Sequence, residues 1–300
     1  MIYDVIVVGC GPAGMTAAIY ALRANKKVLI LEGEAIGGKI ASSPLVENYP
    51  GFKQIGGNEL VDNLYEQVES LGGVIEFDKA LKIENGKVKK VIGEFNTYEA
   101  YSVILAIGSK YRTLKIENEE NYIGNGISFC VVCDGAFYKN QDVAVIGGGN
   151  SAIINAVSLA DMCNKVYVIQ NVDYLTCEDA LKKELETKNN IEIIYNGKVT
   201  KYLGEDIIEG LVINDERKIN VSGIFLSIGQ DADSEFIKDI INLDERNYIL
   251  TNENFETNET GIFAAGDCVH KNIRQLTTAM NDGTIAALSA IQYLKGITKE

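Results

Sequence analysis

Two stretches of this chain carry the same device, and it constrains the fold more than any other feature of the sequence. The first is YDVIVVGCGPAGMTAAIYALRANKKVLILEG. Tyr3–Val8 is a short β-branched apolar run that reads as a strand. Gly9, Gly11 and Gly14 then make G-x-G-x-x-G, Met15–Leu22 repeats apolar residues at helical spacing, and Val28–Leu31 reads as a second strand. Each glycine has a physical task. Gly9 makes the turn, Gly11 lets a pyrophosphate approach the backbone, and Gly14 lets the helix pack tightly on the strand. The phosphates would sit at the helix N-terminus, where free N–H groups point outward. Glu32 ends the second strand and can accept from ribose hydroxyls. These flanks separate a dinucleotide site from an ordinary tight turn.

The device recurs in QDVAVIGGGNSAIINAVSLADMCNKVYVIQ, where Gly147, Gly149 and Ala152 give G-x-G-x-x-A after the strand Val143–Ile146. The position equivalent to Glu32 is Gln170. A carboxylate there favours NAD(H) and nearby arginines favour NADP(H). This chain offers neither, and Asp173, three residues on, is a weak substitute.

Two such units predict an α/β protein of two Rossmann-like three-layer domains. The first is expected to be split, residues 1–113 and 245–300 framing a second domain over 114–244. Its closing portion is Gly261–His270, a strand followed by Asp267, which could bond a flavin ribitol. The helix Thr277–Leu294 follows, with its positive N-terminal end suited to an anionic reduced flavin. The acidic stretch Glu117–Gly126 reads as a hinge or surface loop before the second domain.

Between the two devices lies ISFCVVCDGAFY. Cys130 and Cys133 form C-x-x-C with Asp134 next. One reading is a redox disulfide, with Asp134 giving a proton to a leaving thiolate. The other is half of a zinc site, but no second C-x-x-C exists and His270 is the only histidine. Cys10, Cys163, Cys177 and Cys268 read as buried small side chains.

The balance of charge narrows the partners. A formal net charge of −14 with no offsetting basic run argues against nonspecific binding to nucleic acid or to an anionic membrane. Lys110, Arg112 and Lys115 make only a small basic group, read as a solvated face. The longest mostly apolar stretch, Thr284–Leu294, is too short to span a bilayer. The chain enters a strand at Met1–Val8 with Asp4 inside it, unlike a targeting segment, and six cysteines are too few for a disulfide-stapled scaffold. A cytosolic protein is expected, with no metal.

Taken together, several motifs resemble those of the low-molecular-weight thioredoxin reductases over nearly the whole chain. They are GCGPAG at Gly9–Gly14, GGKI at Gly37–Ile40, NYPGF at Asn48–Phe52, LAIGS at Leu105–Ser109, CVVCDG at Cys130–Gly135, GGGNSA at Gly147–Ala152, FAAGD at Phe263–Asp267 and RQLTTA at Arg274–Ala279. The resemblance implies FAD held by Gly9, Gly11, Pro12, Ala13, Gly14 and Glu32, by Gly38, Lys39, Ile40 and Asn48, by Ala106 and Gly108, and by Gly266, Asp267, Arg274, Gln275 and Leu276. It implies a homodimer, Cys133 facing the flavin, Cys130 attacking thioredoxin, and Asp134 as the acid.

The departures from that family bear on the electron donor. NADPH-dependent members carry H-R-R-x-x-x-R for the 2′-phosphate, where this chain reads Gln170, Asn171, Val172, Asp173, Tyr174, Leu175, Thr176. Asn150 stands for an Asp, Ile154 and Asn155 for a Glu pair, and Lys39 for a Gln. This pattern is similar to the ferredoxin-dependent flavin thioredoxin reductases. It implies a route from reduced ferredoxin through FAD and the Cys130–Cys133 disulfide to thioredoxin. Two alternatives remain at this point. One keeps NADH or NADPH as donor, through Gly147–Ala152 with Asp173 or through basic residues elsewhere. The other is a non-catalytic flavin and disulfide sensor, which would have no need of the adjacent acid Asp134.

Overall fold

The β-branched run near the start of the chain forms strand β1 (Ile2–Val8) in the computed structural model, which describes residues 1–43 and 45–297. The last three residues of the expected 245–300 segment lie outside the described residues. β1 is followed by the glycine turn, helix α1 (Pro12–Arg23) and strand β2 (Val28–Glu32). Helix α2 (Gly57–Ser70) leads to β3 (Val74–Phe77), β4 (Ala80–Glu84), β5 (Lys89–Gly93) and the long β6 (Thr97–Leu105). β1, β2, β3 and β6 pair in parallel, while β5 and β4 extend the sheet in the antiparallel sense.

Alternation along β1 decides which layer each residue meets. Val5 and Val7 join the cluster containing Ala17, Ala18 and Ala21 of α1. Ile6 and Val8 point the other way, into a cluster with Ile237, Ile241 and Ile249. A parallel sheet covered on both faces needs such unbroken apolar strands, because each successive side chain is buried on one face or the other.

The chain passes to a second unit through β7 (Lys110–Tyr111) and returns through β16 (Gln230–Asp231). The units are Met1–Lys110 with Asp231–Glu300, and Tyr111–Gln230. The return thus lies at 230/231 rather than 244/245. The physical reason is burial: Ile237, Ile241, Tyr248 and Ile249 are core residues of the first unit. Within that unit, β17 (Ile262–Ala264) adds in parallel to the C-terminal half of β6, and α7 (Leu276–Ile297) covers α1.

The second unit begins with α3 (Glu119–Tyr122), β8 (Ile127–Ser128) and α4 (Val131–Asp134). Its central device is β9 (Asp142–Ile146), α5 (Asn150–Ala160) and β10 (Lys165–Ile169), followed by α6 (Asp179–Glu186) and β11 (Ile191–Ile194). With β15 (Gly223–Leu226) these make a five-stranded parallel sheet in the order β11-β10-β9-β15-β8. An antiparallel sheet of β12 (Val199–Leu203), β13 (Gly210–Ile213) and β14 (Arg217–Asn220) forms the third layer. Val143 and Val145 pack with α5, whereas Ala144 and Ile146 pack with Tyr202, Leu211 and Ile219.

Most of the acidic stretch Glu117–Gly126 is exposed, as a surface loop is, but two of its side chains are buried. Glu119 is 4% exposed and Tyr122 is 7% exposed. Charge density alone misleads here, because a carboxylate can be buried when donors meet it. Glu119 takes the Leu114 and Lys115 N–H groups at 3.0 and 2.7 Å and the Tyr202 hydroxyl at 2.7 Å. Burial together with that carboxylate pushes the Tyr202 phenol far above its ordinary value. Tyr122 donates to Gly204 O at 2.9 Å and meets Tyr202 edge-on. Replacing Glu119 with Ala strands the Tyr202 hydroxyl and two backbone donors, and should destabilise the second unit by about 3 kcal/mol. A urea titration followed by circular dichroism reads the loss, and Glu119→Gln should lose less.

Candidate cofactor and disulfide sites

In the first unit, the groups named from the sequence converge on the turn after β1. Gly9 has φ +105°, and a β-carbon there would lie 2.3 Å from Ala106 O; one on Gly14 would lie 2.0 Å from Gly9 O. Both glycines are therefore required for the packing of β1, α1 and the end of β6. Gly11 differs: a β-carbon there meets nothing within 4 Å, and the same holds for Gly108 at φ +64°. Pro12 occupies the first helical position and Ala13 is buried beside it. The free space thus lies in front of the N-terminus of α1.

Gly38, Lys39 and Ile40 sit on a 3₁₀ turn spanning Gly38–Ser42. A β-carbon on Gly38 would approach the Gly11 Cα to 3.7 Å, so this turn faces the same opening. The Lys39 ammonium lies 2.5 Å from Asp267 Oδ2 and donates to Ser109 Oγ at 3.0 Å. Glu32 takes the Cys10 N–H at 2.8 Å with one oxygen and the Glu34 N–H at 2.8 Å with the other, which braces the turn.

Gly266, at φ +85°, packs against Ala13, where a β-carbon would lie 2.8 Å from the Ala13 Cβ. Its N–H donates to Asp282 Oδ2 at 3.2 Å, and Lys271 donates to the same oxygen at 2.6 Å. Arg274 gives its guanidinium to the carbonyls of Asp267, Lys271 and Val269, and stacks 3.9 Å over the Tyr248 ring. In this structure it braces the loop before α7. The Asn48 amide donates to Gln275 Oε1 at 3.4 Å, and Leu276 opens α7.

The fit to a flavin dinucleotide has a structural test. Asp267 Oδ1 is buried with no hydrogen-bond partner, although Oδ2 is paired. A buried carboxylate oxygen left in that condition is costly unless a ligand hydroxyl meets it. Together with the open space at Gly11 and Gly108, it suits the ribitol and pyrophosphate of FAD. Cys10 and Cys268 are buried nearby, and burial pushes both thiols up to about 12, which makes them inert.

In the second unit, Cys130 and Cys133 are joined as a disulfide, with Cα atoms 5.3 Å apart. Cys130 caps the short α4, and its sulfur accepts the Cys133 N–H at 3.2 Å. Asp134 is half-buried, and burial pushes its carboxyl above the usual range while Ser128 opposes the shift. Among the described residues no group of three His, Cys, Asp or Glu side chains could hold a metal ion.

The second glycine turn keeps the packing of the first. Gly147 has φ +128°, and a β-carbon there would lie 2.6 Å from Ser227 O. Its surroundings differ. Gln170 is buried, with its side chain so near Gly148 that a β-carbon there would lie 2.6 Å from Gln170 Cδ. The Gln170 amide donates to Tyr174 O at 3.1 Å and accepts the Asn171 N–H at 3.2 Å. Thr176 N donates to Gly148 O at 2.9 Å. Asn150 and Glu178 exchange two bonds of 2.9 Å, setting a carboxylate beside the start of α5. Asn155 is tied to Ser227 Oγ at 2.9 Å, and Ile154 is 51% exposed.

Sequence reasoning missed Ser109, Asp282, Glu178 and Ser128. Ser128 had a readable signal, since it lies two residues before Cys130. The others depend on contacts between distant parts of a unit and had none.

Comparison with known proteins agrees with this geometry. Residues 3–283 match the family described as pyridine nucleotide-disulphide oxidoreductase. A protein of Clostridium pasteurianum, named as a 34.2 kDa protein in a rubredoxin operon, is 40% identical, with 98% of this chain and 97% of that protein covered. The thioredoxin reductase of Bacillus subtilis is 36% identical, covering 98% and 95%. The crystal structure of thioredoxin reductase from Streptococcus pyogenes has a TM-score of 0.93 at 38% identity, covering 98% and 99%. The chain therefore belongs to the pyridine nucleotide-disulphide oxidoreductases, in the FAD-binding branch of low-molecular-weight thioredoxin reductases.

Proposed function

We propose that this chain is a thioredoxin-disulfide reductase that draws its electrons from reduced ferredoxin rather than from a nicotinamide. The observation that carries the choice of donor is the segment Gln170–Thr176, which holds no cation and one exposed carboxylate, Asp173. A 2′-phosphate dianion there would meet a like charge instead of a guanidinium fork. The Gln170 amide is engaged by its own loop, and the Glu178 carboxylate lies beside the start of α5, where a pyrophosphate would favour positive surroundings. The relative in a rubredoxin operon adds support for a one-electron protein donor.

Bound FAD supplies the exchange between single-electron donors and a two-electron acceptor. Gly11, Gly108, Lys39 and Asp267 would hold it in the first unit. The energetics allow the route: plant-type ferredoxins lie near about −400 mV and thioredoxin near about −270 mV, so two electrons fall by roughly 6 kcal/mol.

The remaining chemistry belongs to the cysteines. Once the disulfide is reduced, the Cys133 N–H pointing at Cys130 Sγ favours the thiolate on Cys130. That thiolate attacks the disulfide of thioredoxin, forming a mixed disulfide that Cys133 resolves. Asp134 supplies the proton to a leaving thiolate. A homodimer and a cytosolic setting complete the proposal.

Anaerobic mixing of the yellow protein with each donor tests the choice. Reduced ferredoxin should bleach the flavin and support thioredoxin reduction, and NADPH and NADH at micromolar levels should not. Rapid bleaching by either nicotinamide would return the chain to the ordinary NAD(P)H-dependent reductases. Asp267→Ala removes a buried acceptor for the cofactor, and should lower FAD affinity by tenfold or more, on the order of the 1.5–3 kcal/mol of a charged hydrogen bond. The ratio of flavin to protein absorbance after dialysis reads that loss.

A further inference from the structure

Ser128 is 5% exposed and closes β8 just before the disulfide turn. Its hydroxyl lies between two groups of that turn. Oγ accepts the Cys130 N–H at 3.0 Å and lies 2.5 Å from Asp134 Oδ2. A hydroxyl has one hydrogen to give. Its choices are Asp134 Oδ2 at 2.5 Å and the Cys130 carbonyl at 3.5 Å. An ionised Asp134 takes it, in a charge-assisted bond. When Asp134 is protonated the direction reverses: the carboxyl O–H donates to Ser128, and the serine hydrogen is left with the distant carbonyl. The hydroxyl therefore holds Asp134 in both states and favours the ionised one.

We propose that Ser128 is a positioning residue for proton transfer at the Cys130–Cys133 disulfide, fixing the Asp134 carboxyl on the cysteine turn and setting the pH at which it loses its proton. The proposal rests on Cys130, Cys133 and Asp134 as the reacting groups and is independent of the electron donor. Burial pushes the Asp134 carboxyl up, and the Ser128 bond pulls it down. Tyr138 senses it too, its phenol raised by burial and by the Asp134 charge. Helix α5, packed on α4, brings no charged side chain.

Dithiothreitol isolates the step. Its thiolate attacks one sulfur of the pair, a new S–S bond forms, and the Cys130–Cys133 bond breaks. The other cysteine leaves with the electron pair and takes the Asp134 proton, giving a carboxylate that the Ser128 hydroxyl then bonds. The second thiol of the reagent closes its cyclic disulfide and frees the first cysteine, so the reagent is oxidised and the pair reduced.

The rate of this reduction, measured on FAD-loaded protein by acid quench and mass spectrometry and divided by reagent thiolate, should fall at high pH as Asp134 loses its proton. In Ser128→Ala the fall should move up by about one pH unit, a tenfold gain in the proton affinity of Asp134, which one bond to an ionised group can account for. Ser128→Thr keeps the hydroxyl and should restore the original profile. An unmoved fall in Ser128→Ala, with the fall abolished in Asp134→Asn, would overturn the proposal and leave Asp134 as the acid. A fall that persists in Asp134→Asn would overturn both.

Discussion

A β-carbon added to Gly14 would lie 2.0 Å from Gly9 O, and one added to Gly9 would lie 2.3 Å from Ala106 O. These approaches bring the end of β1, the start of α1 and the end of β6 into one junction. Everything proposed for the first unit depends on it. The N-terminus of α1 faces open space at Gly11, the Gly38 turn comes opposite, and Lys39 and Asp267 meet at its side. Coupling packing to ligand space is what makes the turn hard to lose without losing the fold.

On the proposed reading, the second unit separates the two roles of the same turn. Gly147 still lies against Ser227 O, so the strand–helix packing is kept. The groups that would hold a nucleotide are changed one by one. Gln170 stands for the carboxylate and is engaged by Asn171 and Tyr174, and the following residues carry no cation. On the proposed reading, the turn outlives its ligand because the backbone needs it for its own packing. The unit still presents the disulfide on the loop between β8 and β9, with Ser128 and Asp134 fixed beside it.

Much of this was legible in the sequence, and the reasons are specific. The runs at Val5–Val8 and Val143–Ile146 are buried on both faces, so their apolar continuity marks them as central strands. The glycine spacings and the C-x-x-C pair are local, and their chemistry is carried by neighbours in sequence. Glu119 was missed because its donors include Tyr202, which sequence distance hides. The return to the first unit was placed too late because Ile237 and Ile241 lie on a short, weakly periodic stretch whose burial depends on the other strands. Arg274, whose motif implies a cofactor contact, also shows bonds that the motif does not announce. The structure gives its donors to three carbonyls, a role that no spacing could reveal.

Equilibrium titration of the FAD-loaded protein with NADPH and NADH, followed by calorimetry, bears most closely on the separation of packing from ligand binding in the second unit. Neither nucleotide should show saturable binding at micromolar concentration. A micromolar dissociation constant for either would contradict it, since the turn at Gly147 would then hold a nucleotide despite Gln170, Asp173 and Glu178.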